Sequence, residues 1–331
     1  MKSFANVNAR DPKDAATKLQ QASKKGQTAM IVGGGSDALG MVKERLVIPD
    51  VLVNLKSIRG LDKVTDRVTE QHGEVAIGGL ITLDALSRDP LIIKKYNALA
   101  EAAGHVGTPQ IRNAGTLAGN VCQRPWCWYY RNGFPCYKNG GNTCFSITGE
   151  NEFHAIFGGG PSFIVHPSDT AVALVALDAK FRIVGPAGER TLAAADFFKL
   201  PSDNPARENV LANDEVLAEI RLPAAKSGLR STYNKIMDRE AWTHAVISVA
   251  AVLEMDGQVC KSAHVVLGGV APIPWRVPKV EAMLAGKRIT PELAAQAGAA
   301  AIEGARPLGK NQYKVPLTQA VVKQTLVALA G

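Results

Sequence analysis

The run Gly104-His-Val-Gly-Thr-Pro-Gln-Ile-Arg-Asn-Ala-Gly-Thr-Leu-Ala-Gly-Asn120 leads at once into Cys122, Cys127, Cys136 and Cys144. A turn rich in glycine and amide side chains, able to hold an anion, stands directly before four thiols able to hold a metal centre. The rest of the chain is organised around that junction, from Gly104 to Phe157.

A second glycine turn lies far upstream. Gly33-Gly34-Gly35-Ser36-Asp37 follows the apolar run Thr28-Ala-Met-Ile-Val. Successive backbone N–H groups in such a turn point into one concavity and bind phosphate oxygens. Glycine suits it because positive φ and close ligand approach both disfavour a Cβ. Ala38 stands where G-x-G-x-x-G needs its third glycine, and no Gly-Lys-Ser/Thr follows, so neither a Rossmann fingerprint nor a P-loop is present. Taken alone the turn is an ordinary tight turn. Paired with Gly115-Thr116-Leu117-Ala118-Gly119-Asn120, which offers further free N–H groups, a hydroxyl and an amide, it predicts a clamp on the two halves of a pyrophosphate, as a flavin dinucleotide requires.

The four cysteines are spaced C-x4-C-x8-C-x7-C and contain no C-x2-C pair. Zinc ribbons and fingers usually pair their ligands more closely. A [4Fe–4S] cube tolerates wider, irregular loops. Residues alone leave open a cluster, zinc, or cysteines that are coincidental or disulfide-forming. The absence of an N-terminal apolar h-region points to a reducing compartment, which favours ligation over disulfides. Trp126, Trp128, Tyr129, Tyr130, Phe134 and Tyr137 crowd the same loop and are expected to cover it. Cys260 falls in a strand pattern and reads as a small buried apolar residue.

The outer chain supplies the frame. Asp11 caps and Pro12 opens a helix with Ala15, Ala16, Leu19 and Ala22 on one face, ending at Gly26. With Val51-Leu-Val-Asn-Leu as the next strand, this is a β–α–β start. Lys63 to Thr82 alternates as a hairpin around His72-Gly73, and Leu83–Leu86 and Pro90–Ala103 have helical spacing. Ser162–His166 reads as a short strand, and Asp169 as the cap of a helix from Thr170 to Leu177. Lys180–Val184, Arg190–Leu192 and Val216–Leu222 read as strands, and Leu192–Phe198 as a helix. Beyond residue 225 come three strands, Ser231–Ile236, Val246–Met255 and Val259–Gly268. Asp256-Gly257 is a tight-hairpin signal between the last two. Helices are expected over Arg276–Leu284, Pro291–Glu303 and Leu317–Leu329.

Several function classes recede on composition. The 331 residues are 46% hydrophobic and 21% charged, enough for more than one core. No run approaches the roughly 20 apolar residues of a membrane span. The net charge of +8 is carried by dispersed Lys and Arg, so a solvated basic surface, or attraction for an acidic partner or anionic cofactor, outranks nucleic-acid binding. The six histidines form no H-x3-H or H-E-x-x-H pair, and no nucleophile elbow occurs. His105 and His166 lie near the proposed dinucleotide turns.

In order and spacing, Val32-Gly-Gly-Gly-Ser-Asp37, Ala76-Ile-Gly-Gly-Leu-Ile-Thr-Leu83, Gln110-Ile-Arg-Asn-Ala-Gly-Thr-Leu-Ala-Gly-Asn120 and His166-Pro-Ser-Asp-Thr170 resemble the FAD-binding medium subunit of the xanthine dehydrogenase/molybdenum hydroxylase family. Tyr233-x-Lys235 and Leu267–Arg276 resemble its C-terminal domain. The resemblance implies an α+β chain: a two-lobed FAD-binding domain of PCMH type at 1–224 (lobes about 1–60 and 61–224, cysteine loop about 121–157), then a smaller domain at 225–331 with a three-stranded antiparallel sheet and a helical bundle. Carried over by position, Gly33, Gly34, Gly35, Ser36 and Asp37 hold the cofactor from one side, and Thr116, Gly119 and Asn120 from the other. Asp169 matches a cofactor contact, and Leu222 and Lys235 fall near the flavin ring. The usual Gly-Gly-Asn is here Ala118-Gly119-Asn120.

Most such subunits lack the cysteines. Two branches carry an extra [4Fe–4S] cluster there, and Arg124–Cys136 is closer to bacterial aldehyde oxidoreductases than to 4-hydroxybenzoyl-CoA reductases. The implied role is electron transfer within a heterotrimer. A large partner holds the molybdenum cofactor, a small one holds [2Fe–2S] centres, and FAD here passes electrons to an external acceptor. The rivals are a 4-hydroxybenzoyl-CoA reductase-type subunit, a zinc-stabilised scaffold without redox function, and a stand-alone flavoenzyme. Location is expected to be cytoplasmic, or periplasmic by co-export with a signal-bearing partner.

Overall fold

The computed structural model describes residues 2–68 and 73–331. The first lobe is built from β1 (Ala5–Asn8), α1 (Pro12–Lys24), β2 (Ala29–Val32), α2 (Ala38–Lys43) and β3 (Val51–Asn54). Its strands form a parallel sheet in the order β1-β3-β2. The Asp11 carboxylate accepts the Asp14 N–H at 2.7 Å, Pro12 takes the first helical position, and Ala15, Ala16, Leu19 and Ala22 are buried. A side-chain cap of this kind stabilises a helix by about 1 kcal/mol. β1 escapes sequence reading because it is four residues long and mostly exposed, with no apolar alternation to signal it.

The second lobe holds β4 (Val64–Asp66), β5 (Glu74–Gly78), α3 (Leu83–Arg88), α4 (Pro90–Lys95), α5 (Asn97–Gly104), α6 (Pro109–Ala114), α7 (Leu117–Val121), α8 (Trp128–Arg131), α9 (Asp169–Ala176), β6 (Lys180–Gly185), β7 (Gly188–Ala193) and β8 (Val216–Pro223). Its sheet runs β4-β5-β8-β6-β7 and is antiparallel throughout. The tip of the expected hairpin at His72 lies outside the described residues. The expected helix from Pro90 to Ala103 is two helices, because Tyr96 leaves helical geometry (φ −140°, ψ 49°) and its buried hydroxyl donates to the Pro223 carbonyl at 2.7 Å.

The last unit comprises β9 (Leu229–Ile236), β10 (Ile247–Asp256), β11 (Val259–Gly268), β12 (Trp275–Arg276), α10 (Pro278–Leu284), β13 (Lys287–Arg288), α11 (Pro291–Ala301) and α12 (Lys314–Ala330). β9, β10 and β11 form the expected antiparallel sheet, extended by the two-residue strands β12 and β13. Gly257 turns the hairpin at φ +58°. β10 separates two cores by its alternation. Ala250 and Val252 face α5 and α9 of the second lobe, whereas Val249, Ala251, Leu253 and Met255 face α10–α12. Every residue of α9 is buried, so this helix is the shared wall between lobe and sheet. Each fully buried Val or Leu there contributes about 1.5–3 kcal/mol.

Three local expectations are corrected. Ser162–His166 is extended but joins none of the described sheets. Its groups bond to loops instead: the Phe163 carbonyl accepts the Ala155 N–H at 2.9 Å, and the His166 N–H donates to Ala271 O at 3.0 Å. Leu192–Phe198 is not a helix: β7 continues to Ala193, a single 3₁₀ turn follows, and Phe197 and Phe198 are drawn into the core. Ser168, not Asp169, caps α9, its hydroxyl accepting the Ala171 N–H at 3.0 Å.

Candidate dinucleotide cleft and cysteine loop

The first glycine turn is the more open of the two. Among the described residues, the backbone N–H groups of Gly33, Gly34, Gly35 and Ser36 find no acceptor within the protein. Gly35 adopts φ +78°, which a side chain disfavours. Gly34 is required for a reason the sequence did not reveal. A Cβ on it would lie 1.8 Å from the Ala114 carbonyl oxygen, so the turn packs backbone to backbone against the second turn.

That second turn is a buttress more than a donor array, which corrects the expectation of free N–H groups there. Gly115 N donates to Ile111 O, Leu117 N to Ile81 O, Ala118 N to Gly79 O and Asn120 N to Thr116 O. Gly119 N donates to the Thr116 hydroxyl at 3.2 Å, the cap of α7. The Asn120 side-chain oxygen accepts from both Ser168 and Thr170 at 2.6 Å, leaving its amide NH₂ as the polar group without a protein acceptor.

From these turns a cleft runs toward the C-terminal sheet as three cavities that share walls. The first, ≈ 190 Å³, lies between Gly33–Asp37 and Thr116–Gln123. The second, ≈ 290 Å³, continues past Ser36, Asn120 and Asp169. The third, ≈ 440 Å³, is walled by Asp169, His166, His244 and the aromatic residues Trp126 and Trp128. An elongated, mostly apolar crevice with an anion-binding turn at one end fits an extended dinucleotide. Polar atoms on its walls are unsatisfied: Gln123 Oε1, His154 Nδ1 and His166 Nε2 are buried and unpartnered. Native interiors rarely leave such atoms orphaned, so a polar ligand is the expected partner.

Asp169 opens α9 and crosses the unit boundary to β9. It accepts from the Tyr233 hydroxyl at 2.5 Å and the Lys235 ammonium at 2.7 Å, and Lys235 also donates to His105 O at 2.9 Å. Burial, then the Asp169 charge, raise the Tyr233 pKa well above its ordinary value, so its hydroxyl stays a donor. Asp169 lines the cleft, whereas the Lys235 ammonium is spent on Asp169 and the His105 carbonyl. Leu222 is corrected: it is wholly buried in the β5–β8 core and lines no part of the cleft, because β8 turns that residue inward opposite Val75.

The cysteine loop closes the cleft from one side. Cys127 Sγ lies 3.4 Å from His154 Nε2 and Cys144 Sγ accepts the Phe163 N–H at 3.4 Å. Burial, opposed by backbone hydrogen bonds from Tyr130 and Tyr129 and aided by the nearby Cys144 and Cys136, pushes the Cys127 thiol up to about 11. Cys122 lines the wall beside the glycine turns, its thiol pushed up to about 12 by burial. All five cysteines are free thiols, so no disulfide forms. Among the described residues no group of three His, Cys, Asp or Glu side chains is gathered about a single metal-ion position. Cys260 is buried in the C-terminal core, as expected. Burial lowers His154 and His166 to about 4.

Sequence reading missed two charged anchors. Lys314, at the start of α12, is fully buried and donates to His154 O at 3.2 Å and Gly269 O at 2.7 Å, with burial lowering it to about 7. Arg131 on α8 is a second, its guanidinium 2.9 Å from Asp37. Neither has a motif; Lys314 is fixed by distant backbone carbonyls and Arg131 by distant carboxylates, partners met only on folding.

A two-lobed, cleft-bearing unit followed by an antiparallel sheet and helices has the form of a dinucleotide-binding protein. Residues 2–225 match the FAD binding domain in molybdopterin dehydrogenase, and residues 232–329 match the CO dehydrogenase flavoprotein C-terminal domain. The chain is 31% identical, over 98% of both chains, to the aldehyde oxidoreductase FAD-binding subunit PaoB of Escherichia coli K12. It is 27% identical to the carbon monoxide dehydrogenase medium chain of Hydrogenophaga pseudoflava, over 96% of this chain and 94% of that one. A solved structure of the carbon monoxide dehydrogenase from that organism superposes with a TM-score of 0.77 at 25% identity, covering 99% of this chain and 97% of that one. Quinoline 2-oxidoreductase from Pseudomonas putida 86 shares the fold, with a TM-score of 0.76 over 100% of this chain and 98% of that one at 23% identity.

The chain therefore belongs to the FAD-binding medium subunits of the xanthine dehydrogenase/CO dehydrogenase family, close to the aldehyde oxidoreductase FAD subunit. It is an oxidoreductase subunit that binds FAD, which sets aside the non-redox scaffold. No helix among the described residues is long and apolar enough to cross a membrane.

Proposed function

We propose that this chain is the electron-transfer subunit of a heterotrimeric aldehyde-oxidising molybdenum hydroxylase. Residues 1–224 form its FAD-binding domain and 225–331 its C-terminal domain. Bound FAD supplies the redox chemistry, receiving electrons from [2Fe–2S] centres of a small partner, downstream of a large molybdenum-cofactor partner, for delivery to an external acceptor. The chain's own part is to hold, orient and shield.

The carrying observation is the unpartnered run of N–H groups from Gly33 to Ser36 at the head of the cleft. Those donors take the pyrophosphate, the Thr116 hydroxyl and Asn120 amide approach from the other turn, and Gly119 keeps the space open. Asp169, held by Tyr233 and Lys235, fixes the wall where lobe and C-terminal sheet meet. Trp126 and Trp128 restrict water at the far end. Asp37 borders the pyrophosphate subsite, but its carboxylate is turned to Arg131, which suits a site for an anion.

The cysteine loop is read as the holder of a [4Fe–4S] cluster through Cys122, Cys127, Cys136 and Cys144. Support comes from the number and spacing of the thiols and from the closeness of Cys136 and Cys144 to Cys127. Among the described residues no three such side chains gather about one position, so the cluster carries no step in this reading. The relative's name, an aldehyde oxidoreductase subunit, favours aldehydes over aryl-CoA esters. The test is to purify the native complex, record its spectrum and metals, and assay aldehydes and aryl-CoA thioesters anaerobically. Flavin, iron and molybdenum together with aldehyde-dependent bleaching are expected. Reduction of the thioester with indifference to every aldehyde would overturn the reading.

A further inference from the structure

Arg131 is held as few exposed-loop arginines are. Its side chain is only 7% exposed, although it arises from the one-turn helix α8 of the cysteine loop. Nε donates to Pro125 O at 2.9 Å, and Nη2 donates to Asp37 at 2.9 Å and Arg124 O at 3.3 Å. Nη1 donates to Glu44 at 3.3 Å, and the guanidinium lies 4.1 Å from the centre of the Trp126 ring. One planar cation thus joins the loop backbone, an aromatic wall of the cleft, and two carboxylates of the opposite lobe.

Asp37 is the last residue of the glycine turn and lines the cleft beside the unpartnered N–H groups. Its side chain caps nothing in α2. A carboxylate there opposes a bound diphosphate unless a cation stands against it.

We propose that Arg131 is a positioning residue that makes the cleft's phosphate end competent for its anion. It neutralises Asp37 and Glu44 and turns the Asp37 carboxylate away from the turn's donors. Order in the cysteine loop is thereby coupled to cofactor affinity without any contact between Arg131 and the cofactor. This rests on the reading that Gly33–Ser36 receive the pyrophosphate.

The experiment measures FAD dissociation constants by flavin fluorescence for wild type, R131M, D37N and R131M/D37N, each released from FAD and retitrated in the assembled complex. The expected result is that R131M weakens binding at least about ten-fold, equivalent to about 1.4 kcal/mol, since it strands two carboxylates by the anion site. D37N alone is titrated as the reference, so that the cost of R131M is read both with and without the Asp37 charge. The double variant recovers most of the loss, because the repelling charge is gone. Rescue is the signature of an electrostatic role, since damage to loop structure alone would not be repaired by changing a residue on the other lobe. Unchanged affinity in R131M overturns the proposal, and so does a loss that D37N fails to restore. If R131M does not fold, R131K, which keeps the charge but not the fork, must bind FAD more weakly than wild type and be improved by D37N; otherwise the proposal is overturned. Absence of FAD binding by wild type would instead sink the underlying pyrophosphate assignment.

Discussion

Asp169 and Lys235 form a 2.7 Å ion pair, nearly inaccessible to solvent, between the first residue of α9 and the penultimate residue of β9. It joins a cleft wall to the C-terminal sheet. Breaking a buried pair by removing one partner costs about 3–5 kcal/mol, because the other charge is left uncompensated. Lys235→Met and Asp169→Asn should therefore each lower the apparent melting temperature clearly, the first by stranding the Asp169 carboxylate and the second by stranding the Lys235 ammonium with one acceptor oxygen in place of two. Thermal scans of both variants check this. Equal melting temperatures for Lys235→Met and wild type would mean that the pair does not hold the units together.

Gly34 and Gly40, both in the first lobe, make a controlled comparison. A Cβ at Gly34 meets Ala114 O at 1.8 Å, whereas one at Gly40, inside α2, meets nothing within 4 Å. Gly34→Ala is expected to force the two turns apart and lose FAD, and Gly34→Val more so. Gly40→Ala should retain FAD and gain up to about 1 kcal/mol, as alanine replaces glycine in a helix. Flavin absorbance per chain and melting temperature decide the matter. Stoichiometric flavin in Gly34→Ala would refute the packing argument.

Much of this was legible because it is local. The Asp11–Pro12 start, the Asp256-Gly257 hairpin and the alternation of β10 need only neighbours in sequence. The glycine turns were legible as turns, but their division of labour was not. Whether Ala118 N is free depends on Gly79, almost forty positions away. Ser168 displaced Asp169 as cap because Tyr233 and Lys235 claim the Asp169 carboxylate, a competition no helix signal encodes. Leu222 is carried over by position in the family pattern alone, and position does not say which side of β8 the residue turns to, here the buried side opposite Val75.

Acid should destabilise the protein through two buried histidines. Burial lowers His154 and His166 from 6.5 to about 4, so each binds a proton more readily in the unfolded chain. His166 Nδ1 already accepts the Ser168 N–H at 3.3 Å, so protonation there also costs a hydrogen bond. The stabilisation is complete above pH 6.5 and is lost as pH falls toward 4, on the order of 3 kcal/mol for each histidine across the window. Melting temperatures should fall measurably between pH 7 and pH 5. A flat profile there would show that both rings are solvated and that the cleft wall is more open than described.

The cysteines give the last test, chosen to separate the loop from the core. Cys136 is buried in the loop and lies near enough to Cys127 to raise its pKa, whereas Cys260 lies in the C-terminal core. If the loop holds a [4Fe–4S] cluster, wild type should carry about four iron atoms per chain beyond those of its partners. Cys136→Ser should lose that iron and, through the loop's link to Asp37, weaken FAD retention; Cys260→Ser should change neither. Cys122→Ser discriminates further. Its thiol lines the cleft wall beside the glycine turns, so iron loss in this variant would make Cys122 a ligand of the cluster. Iron retained in Cys122→Ser but lost in Cys136→Ser would strike Cys122 from the ligand set. Iron unchanged in both would remove the cluster from this loop and leave the thiols as packing.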